Sequence, residues 1–163
     1  MKIKKFVIAI LIAWILFIGV DFLFHASLFA PLWKEDLPAF KPLDNMALLI
    51  PAGYTSFLLL TVLIAYLFSR IFERKPPIKE AFKFALVFGA LFTLSNLLGL
   101  FSYIAIPFKH LLLFNLLYFI EIIVVTLSLY AIVFSGNMKK SIWRSVLIFI
   151  ILLIFGIIIQ NVL

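Results

Sequence analysis

Five runs of apolar residues, at 6–24, 47–68, 84–107, 111–134 and 145–163, set the terms for everything else in this chain. A helix needs about 20 such residues to cross the hydrocarbon core of a bilayer, advancing about 1.5 Å per residue. Each run is long enough to do so. None alternates apolar and polar residues with period two, which excludes a transmembrane β-barrel. The expected fold is all-α: a polytopic bundle of five transmembrane helices, one domain over 1–163, without internal repeats.

Composition leads to the same solvent. Of the 163 residues, 66% are hydrophobic and 13% charged, whereas soluble domains carry about 25% charged residues. The lipid bilayer is therefore the expected partner. A formal net charge of +7 would suit nucleic acid if Lys and Arg shared one soluble face. They sit instead between the apolar runs, so nucleic acid is not expected. Without Cys, the chain has no disulfide, no thiolate metal site and no thiol redox chemistry. No cofactor is expected.

The start, Met1-Lys2-Ile3-Lys4-Lys5 before an apolar run, has the outline of a signal peptide. That run continues to Phe24, and Ala30, the best small residue for cleavage, has Leu28 at its −3 position and Pro31 directly after it. A retained first helix is expected. The joints at 26–45, 70–83, 109–110 and 135–144 are marked by Pro31, Pro38, Pro42, Pro76, Pro77, Pro107 and Gly136-Asn137. Pro51 lies inside the second run, where it marks either a late helix start or a kink.

Orientation follows from the positive charges flanking the spans. Lys2, Lys4, Lys5, Arg70, Arg74, Lys75, Lys79, Lys83, Lys139, Lys140 and Arg144 fall on one side; Lys34, Lys41 and Lys109 fall on the other. The N-terminus is expected in the cytoplasm and the C-terminus outside, in a bacterial or archaeal cytoplasmic membrane. Trp33 and Trp143 are placed near opposite interfaces, where an indole buries its ring and keeps its N–H wet.

On the third span, Ala81, Ala85 and Gly89 recur every four residues, and the face continues through Phe92, Asn96, Gly99 and Tyr103. Small residues at that spacing let helices approach closely in lipid. The outer half of the face is different, ending in an amide, a glycine and a phenol.

Polar residues gather in that outer half. Asp21 is in the outer third of the first span, with His25 one turn above it on the same face. Ser95, Asn96, Ser102 and Tyr103 belong to the third span, Asn115 and Tyr118 to the fourth, and Tyr54, Thr55 and Ser56 to the second. Glu121 is expected near the midplane, on a face shared with His110, Phe114 and Leu117. The inner half offers Thr61, Thr126 and Ser128, hydroxyls that can bond to their own backbone. Two acids and two histidines can thus face one cavity, while His25 and His110 are both placed near the membrane surface.

Glu121 is the costliest residue, since an acid near the bilayer centre costs several kcal/mol unless neutralised or paired. No Lys or Arg lies inside a span to pair with it. It is expected either to rest protonated, bonded to Asn96, Asn115 or Tyr118, or to meet a cation or ligand. The candidate pocket is Asp21, His25, Asn96, Tyr103, Asn115, Tyr118 and Glu121. Asp21, His25, His110 and Glu121 are acceptable ligand types for zinc, but only one pair has helical spacing, and no metal is assigned.

The runs Asp21-Phe-Leu-Phe-His25, Leu28-Phe-Ala-Pro31-Leu-Trp33 and Phe40-Lys41-Pro42 resemble a family of small bacterial integral membrane proteins with Asp/Glu-x-x-x-His in the first helix. The resemblance extends through Phe82-Lys83-Phe84-Ala85-Leu86, Ile106-Pro107-Phe108 and Glu121, from Phe17 to about Val133. Ala26 stands where that family usually has Gly, and the fifth span exceeds its four-helix pattern. The resemblance implies a joint role for Asp21, His25 and Glu121 and brings no activity with it, since the family has no established function.

The function expected first is binding or transport of a small solute, ion or lipid headgroup through an outward-facing polar pocket. An accessory or structural subunit of a larger membrane complex comes second, and an intramembrane enzyme third. No aspartyl-protease pair, His-Glu-x-x-His or nucleophile turn is present, leaving only Asp21, His25 and Glu121 as an acid–base set. A full alternating-access cycle usually uses two repeats, so a homo-oligomer or a partner membrane protein is also considered.

Overall fold

The computed structural model describes residues 3–33, 35, 37, 41 and 43–162. The readings given above for Lys2, Lys34, Pro38, Phe40 and Pro42, and for the side chain of Trp33, lie outside the described residues.

Helix α1, Ile3–Asp21, continues without interruption into a π-helical stretch, Phe22–Leu28, and a short helix α2, Ala30–Trp33, follows. Four long helices complete the chain: α3, Leu43–Ile71; α4, Ile78–Tyr103; α5, Phe108–Val133; and α6, Met138–Val162. Among the described residues there is no strand. Five segments among the described residues are long and apolar enough to cross a membrane: Ile3–Leu28, Asn45–Ile71, Ile78–Tyr103, Phe108–Val133 and Met138–Val162. Their exposed faces carry large apolar side chains such as Leu59, Leu91, Leu98, Leu147 and Phe155, as lipid contact requires.

Contacts fix the helix directions. Lys5 Nζ at the start of α1 donates to the Ser135 carbonyl just beyond α5, and Phe17 meets Tyr118 further along, so α1 and α5 run antiparallel. Phe68 near the end of α3 touches Phe134 and Phe84, placing the end of α5 and the beginning of α4 beside it. Gln160 at the end of α6 reaches the Ala26 carbonyl, so α6 runs alongside α1. The end at which α1 begins is termed basal, and its opposite distal.

The most buried helices are α1 and α5. Helix α1 packs on α3, α5 and α6, while α4 packs on α5. Ala9 and Ala13 face Ile64, Ala65, Ile122, Val125, Leu129 and Ile132 in one apolar cluster with Phe17. Glycines bring α6 onto α1: a Cβ at Gly19 would lie 2.8 Å from Phe149 Cδ2, and one at Gly156 would lie 2.6 Å from Phe22 Cε1. On α4 the buried row is Ala81, Ala85, Gly89, Thr93 and Leu97, and a Cβ at Gly89 would stand 2.9 Å from the Phe119 ring. The expected small-residue stripe is therefore buried as far as Gly89. Beyond it the row follows the four-residue ridge through Thr93 and Leu97, and a Cβ at Gly99 would meet nothing within 4 Å.

Several joints differ from the sequence reading. The break before α5 is at 104–107, and Lys109 and His110 lie in the first turn of α5 rather than in a loop. Pro107, with φ −54°, stands immediately before that helix, where a residue without an N–H leaves no bond unmade. Helix α3 begins at Leu43 and runs through Pro51, so this proline does not mark the helix start. Thr61, Thr126 and Ser128 donate to the carbonyls of Phe57, Ile122 and Val124 of their own helices, as four-residue back-bonding predicts.

Candidate ion and solute site

The site is built where α1 changes its winding. Over Phe22–Leu28 the backbone bonds reach five residues back, as in Phe29 N–H donating to the Phe24 carbonyl at 2.8 Å. Such wide turns shift side chains out of α-helical register and recur at functional sites. Two side chains secure this one: Ser27 Oγ donates to the Phe22 carbonyl at 3.1 Å, and Gln160 Nε2 donates to the Ala26 carbonyl at 2.6 Å. Asp21 enters the stretch and His25 sits inside it, with His25 Nε2 at 3.9 Å from Asp21 Oδ1.

Helix α5 supplies the third group. Glu121 is fully buried, and its Oε1 lies 3.6 Å from the same His25 Nε2. One ligand-type atom from each of Asp21, His25 and Glu121 lies within 4.8 Å of the other two. Neither oxygen of Glu121 makes a hydrogen bond to a described residue. Two carboxylates charged together at this separation repel by about 3 kcal/mol at an effective dielectric of 20, so the cluster calls for positive charge, whether proton, imidazolium or bound cation.

A recess of about 290 Å³ opens on these groups, lined also by Phe57, Asn96, Leu100, Phe114, Asn115 and Tyr118. Its basal side is closed by aromatic rings: Phe17 stacks on Phe57 at 4.3 Å, and Tyr118 contacts Phe17, Phe57 and Phe92. Phe114 stands between the imidazoles of His25 and His110, with ring centroids at 6.1 and 6.3 Å. Asn96 Nδ2 donates to Asn115 Oδ1 at 2.9 Å, and Asn115 Nδ2 donates to the Leu111 carbonyl at 2.8 Å. These amides join α4 to α5 beside the acids.

Six of the seven residues singled out from sequence line this recess: Asp21, His25, Asn96, Asn115, Tyr118 and Glu121. Tyr103 does not. It is the last residue of α4, 75% exposed, beyond the point where that helix packs on its neighbour. The expected bond from Glu121 to Asn96, Asn115 or Tyr118 is absent: the amides bond each other and the α5 backbone, and neither oxygen of Glu121 is reached.

His110 departs most from expectation. It is 1% exposed rather than surface-lying, and its Nε2 stands 2.9 Å from Glu35 Oε2, away from the Asp21–His25–Glu121 cluster. The two groups are in close imidazole–carboxylate contact without hydrogen-bond alignment. Burial follows from the start of α5 at Phe108, which turns residue 110 inward. Glu35 was not legible as a partner, because an acid in a loop carries no periodicity to aim it.

A larger recess of about 700 Å³ lies at the basal end, with Lys5, Tyr66, Arg70 and Glu73 in its lining. Its cations already have partners, Lys5 on the Ser135 carbonyl and Arg70 over the Tyr66 ring at 5.2 Å. The distal recess holds the buried acid and is the chemically distinctive one.

Among known proteins, no family model, no curated protein and no solved structure matches this chain.

Proposed function

We propose that this chain is a small membrane bundle that binds or passes a small cationic solute or ion through the recess at Asp21, His25 and Glu121. The observation that carries the reading is Glu121: a fully buried acid whose two oxygens make no hydrogen bond to any described residue. A carboxylate kept only for packing would be bonded to the amides beside it, and here neither of its oxygens is met by them. An intramembrane acid held open in this way fits a ligand or ion path. The excess of Lys and Arg at the basal end favours a cytoplasmic N-terminus, so the recess belongs to the exterior half of the bilayer.

Selectivity for positive charge follows from the lining. Two acids repel anions, while Phe57, Phe114 and Tyr118 offer ring faces that tolerate a cation. The test is thermal unfolding of purified protein in mild detergent against a panel of metal ions, monovalent ions, organic cations, anions and headgroup analogues. A cation present at about 100 times its Kd should stabilise the fold by about 2.7 kcal/mol. Glu121→Gln should fold and lose that stabilisation. If the variant tracks the unmodified protein across the whole panel, Glu121 is only a packing element and the reading fails.

A further inference from the structure

We infer that Asp21, His25 and Glu121 form a binding site for a divalent first-row transition-metal ion. This deepens the cation-recess reading above and rests on it.

Ligand geometry comes first. Ligand atoms around a tetrahedral zinc with bonds of about 2.0–2.2 Å lie about 3.3–3.6 Å apart. The separations here are 3.6 Å for His25–Glu121, 3.9 Å for His25–Asp21, and no more than 4.8 Å for the carboxylate pair. Closing around an ion therefore asks the ligand atoms to draw together by about 1 Å at most. Nε2 of His25 is the atom shared by both close contacts.

Ligand chemistry then narrows the ion. Two carboxylates and a neutral imidazole carry a charge of −2, which a divalent ion cancels and a monovalent ion does not. In a weakly screened interior that difference matters. An imidazole nitrogen favours zinc, iron, cobalt or nickel over magnesium and calcium, and neither Cys nor Met, the soft donors that select copper(I), lines the recess. The unbonded oxygens of buried Glu121 point independently to a ligand: they are the acceptors a metal would satisfy.

Three protein ligands leave at least one coordination position for water. The recess of about 290 Å³ has room for it, since water occupies about 30 Å³. Structural zinc sites are closed by four protein ligands, whereas open ones exchange water or substrate. The arrangement suits an ion that is taken up and released.

The experiment uses the full chain with any affinity tag removed, in mild detergent, stripped with chelator and then titrated with Co²⁺ and Zn²⁺. One equivalent of Co²⁺ should give visible d–d absorption that Zn²⁺ abolishes. Glu121→Gln and His25→Ala should each weaken binding at least tenfold, and Asp21→Asn provides the same test should either variant fail to fold. Glu73→Gln, remote from the recess, should bind as the unmodified chain does. Absence of binding to the folded protein, or equal affinity in Glu121→Gln, would overturn the inference. If metal ions do nothing while tetramethylammonium or sodium stabilises the protein in a Glu121-dependent manner, the metal site is wrong and the recess reading survives. If nothing in the panel stabilises it, both fail.

Discussion

Among the described residues Glu121 is the one fully buried acid, and both its oxygens lack a hydrogen bond. Glu121 is completely enclosed, while the side chains of Asp21 and His25 each keep 19% exposure, so the three grade from the recess mouth into the bundle. The amide pair beside them ties α4 to α5. Asn96→Ala should cost about 0.5–2 kcal/mol in thermal or denaturant unfolding, the usual worth of an interhelical side-chain bond in lipid. His110 and Glu35 make a second such test. Removing the Glu35 carboxylate leaves a buried imidazole without its acid, but Glu35 is 40% exposed and water screens much of the pair. Glu35→Ala should therefore destabilise by about 1–2 kcal/mol in unfolding measurements, below the cost of breaking a fully buried pair.

At the scale of elements, sequence and structure diverge in an instructive way. The apolar runs were legible because burial in lipid needs only length and composition, and Asp21 and His25 were legible as neighbours because four residues is a helical turn. That Glu121 would join them was only a possibility, since which faces of two helices meet is decided by packing between distant segments. The π-helical stretch left no mark in the residue pattern. It packs on a distant helix: Phe22 and Ser27 lie against Gly156 of α6, and Gln160 caps the Ala26 carbonyl. Gly156→Leu should then lower thermal stability markedly and disturb the site from the far side, a loss of about 1–3 kcal/mol or more from overpacking. Gly99→Ala is the matched control, because nothing lies within 4 Å of its added methyl, and its stability should be equal or slightly higher.

For the molecule as a whole, the described residues give five helices long and apolar enough to cross a membrane, with a polar recess at the distal end and a basic rim at the basal end. The proposed orientation predicts that single cysteines placed at Lys4, Glu73 or Asn137 label from the cytoplasmic face, and one at Ala105 from the exterior face. Reversed labelling would move the recess to the wrong side. Within the recess, Asp21 and Glu121, together with the imidazole of His25, share one space. A chain without native Cys permits a direct measurement: oxidative cross-linking of the Asp21→Cys, Glu121→Cys double variant in native membranes, read as a mobility change after proteolytic cleavage between α3 and α4. Efficient cross-linking is expected, comparable to that of an Asn96→Cys, Asn115→Cys pair, whose native atoms are 2.9 Å apart and whose joining is read after cleavage between α4 and α5 instead. Cross-linking of the amide pair alone, with the acid pair unjoined, would contradict the shared space.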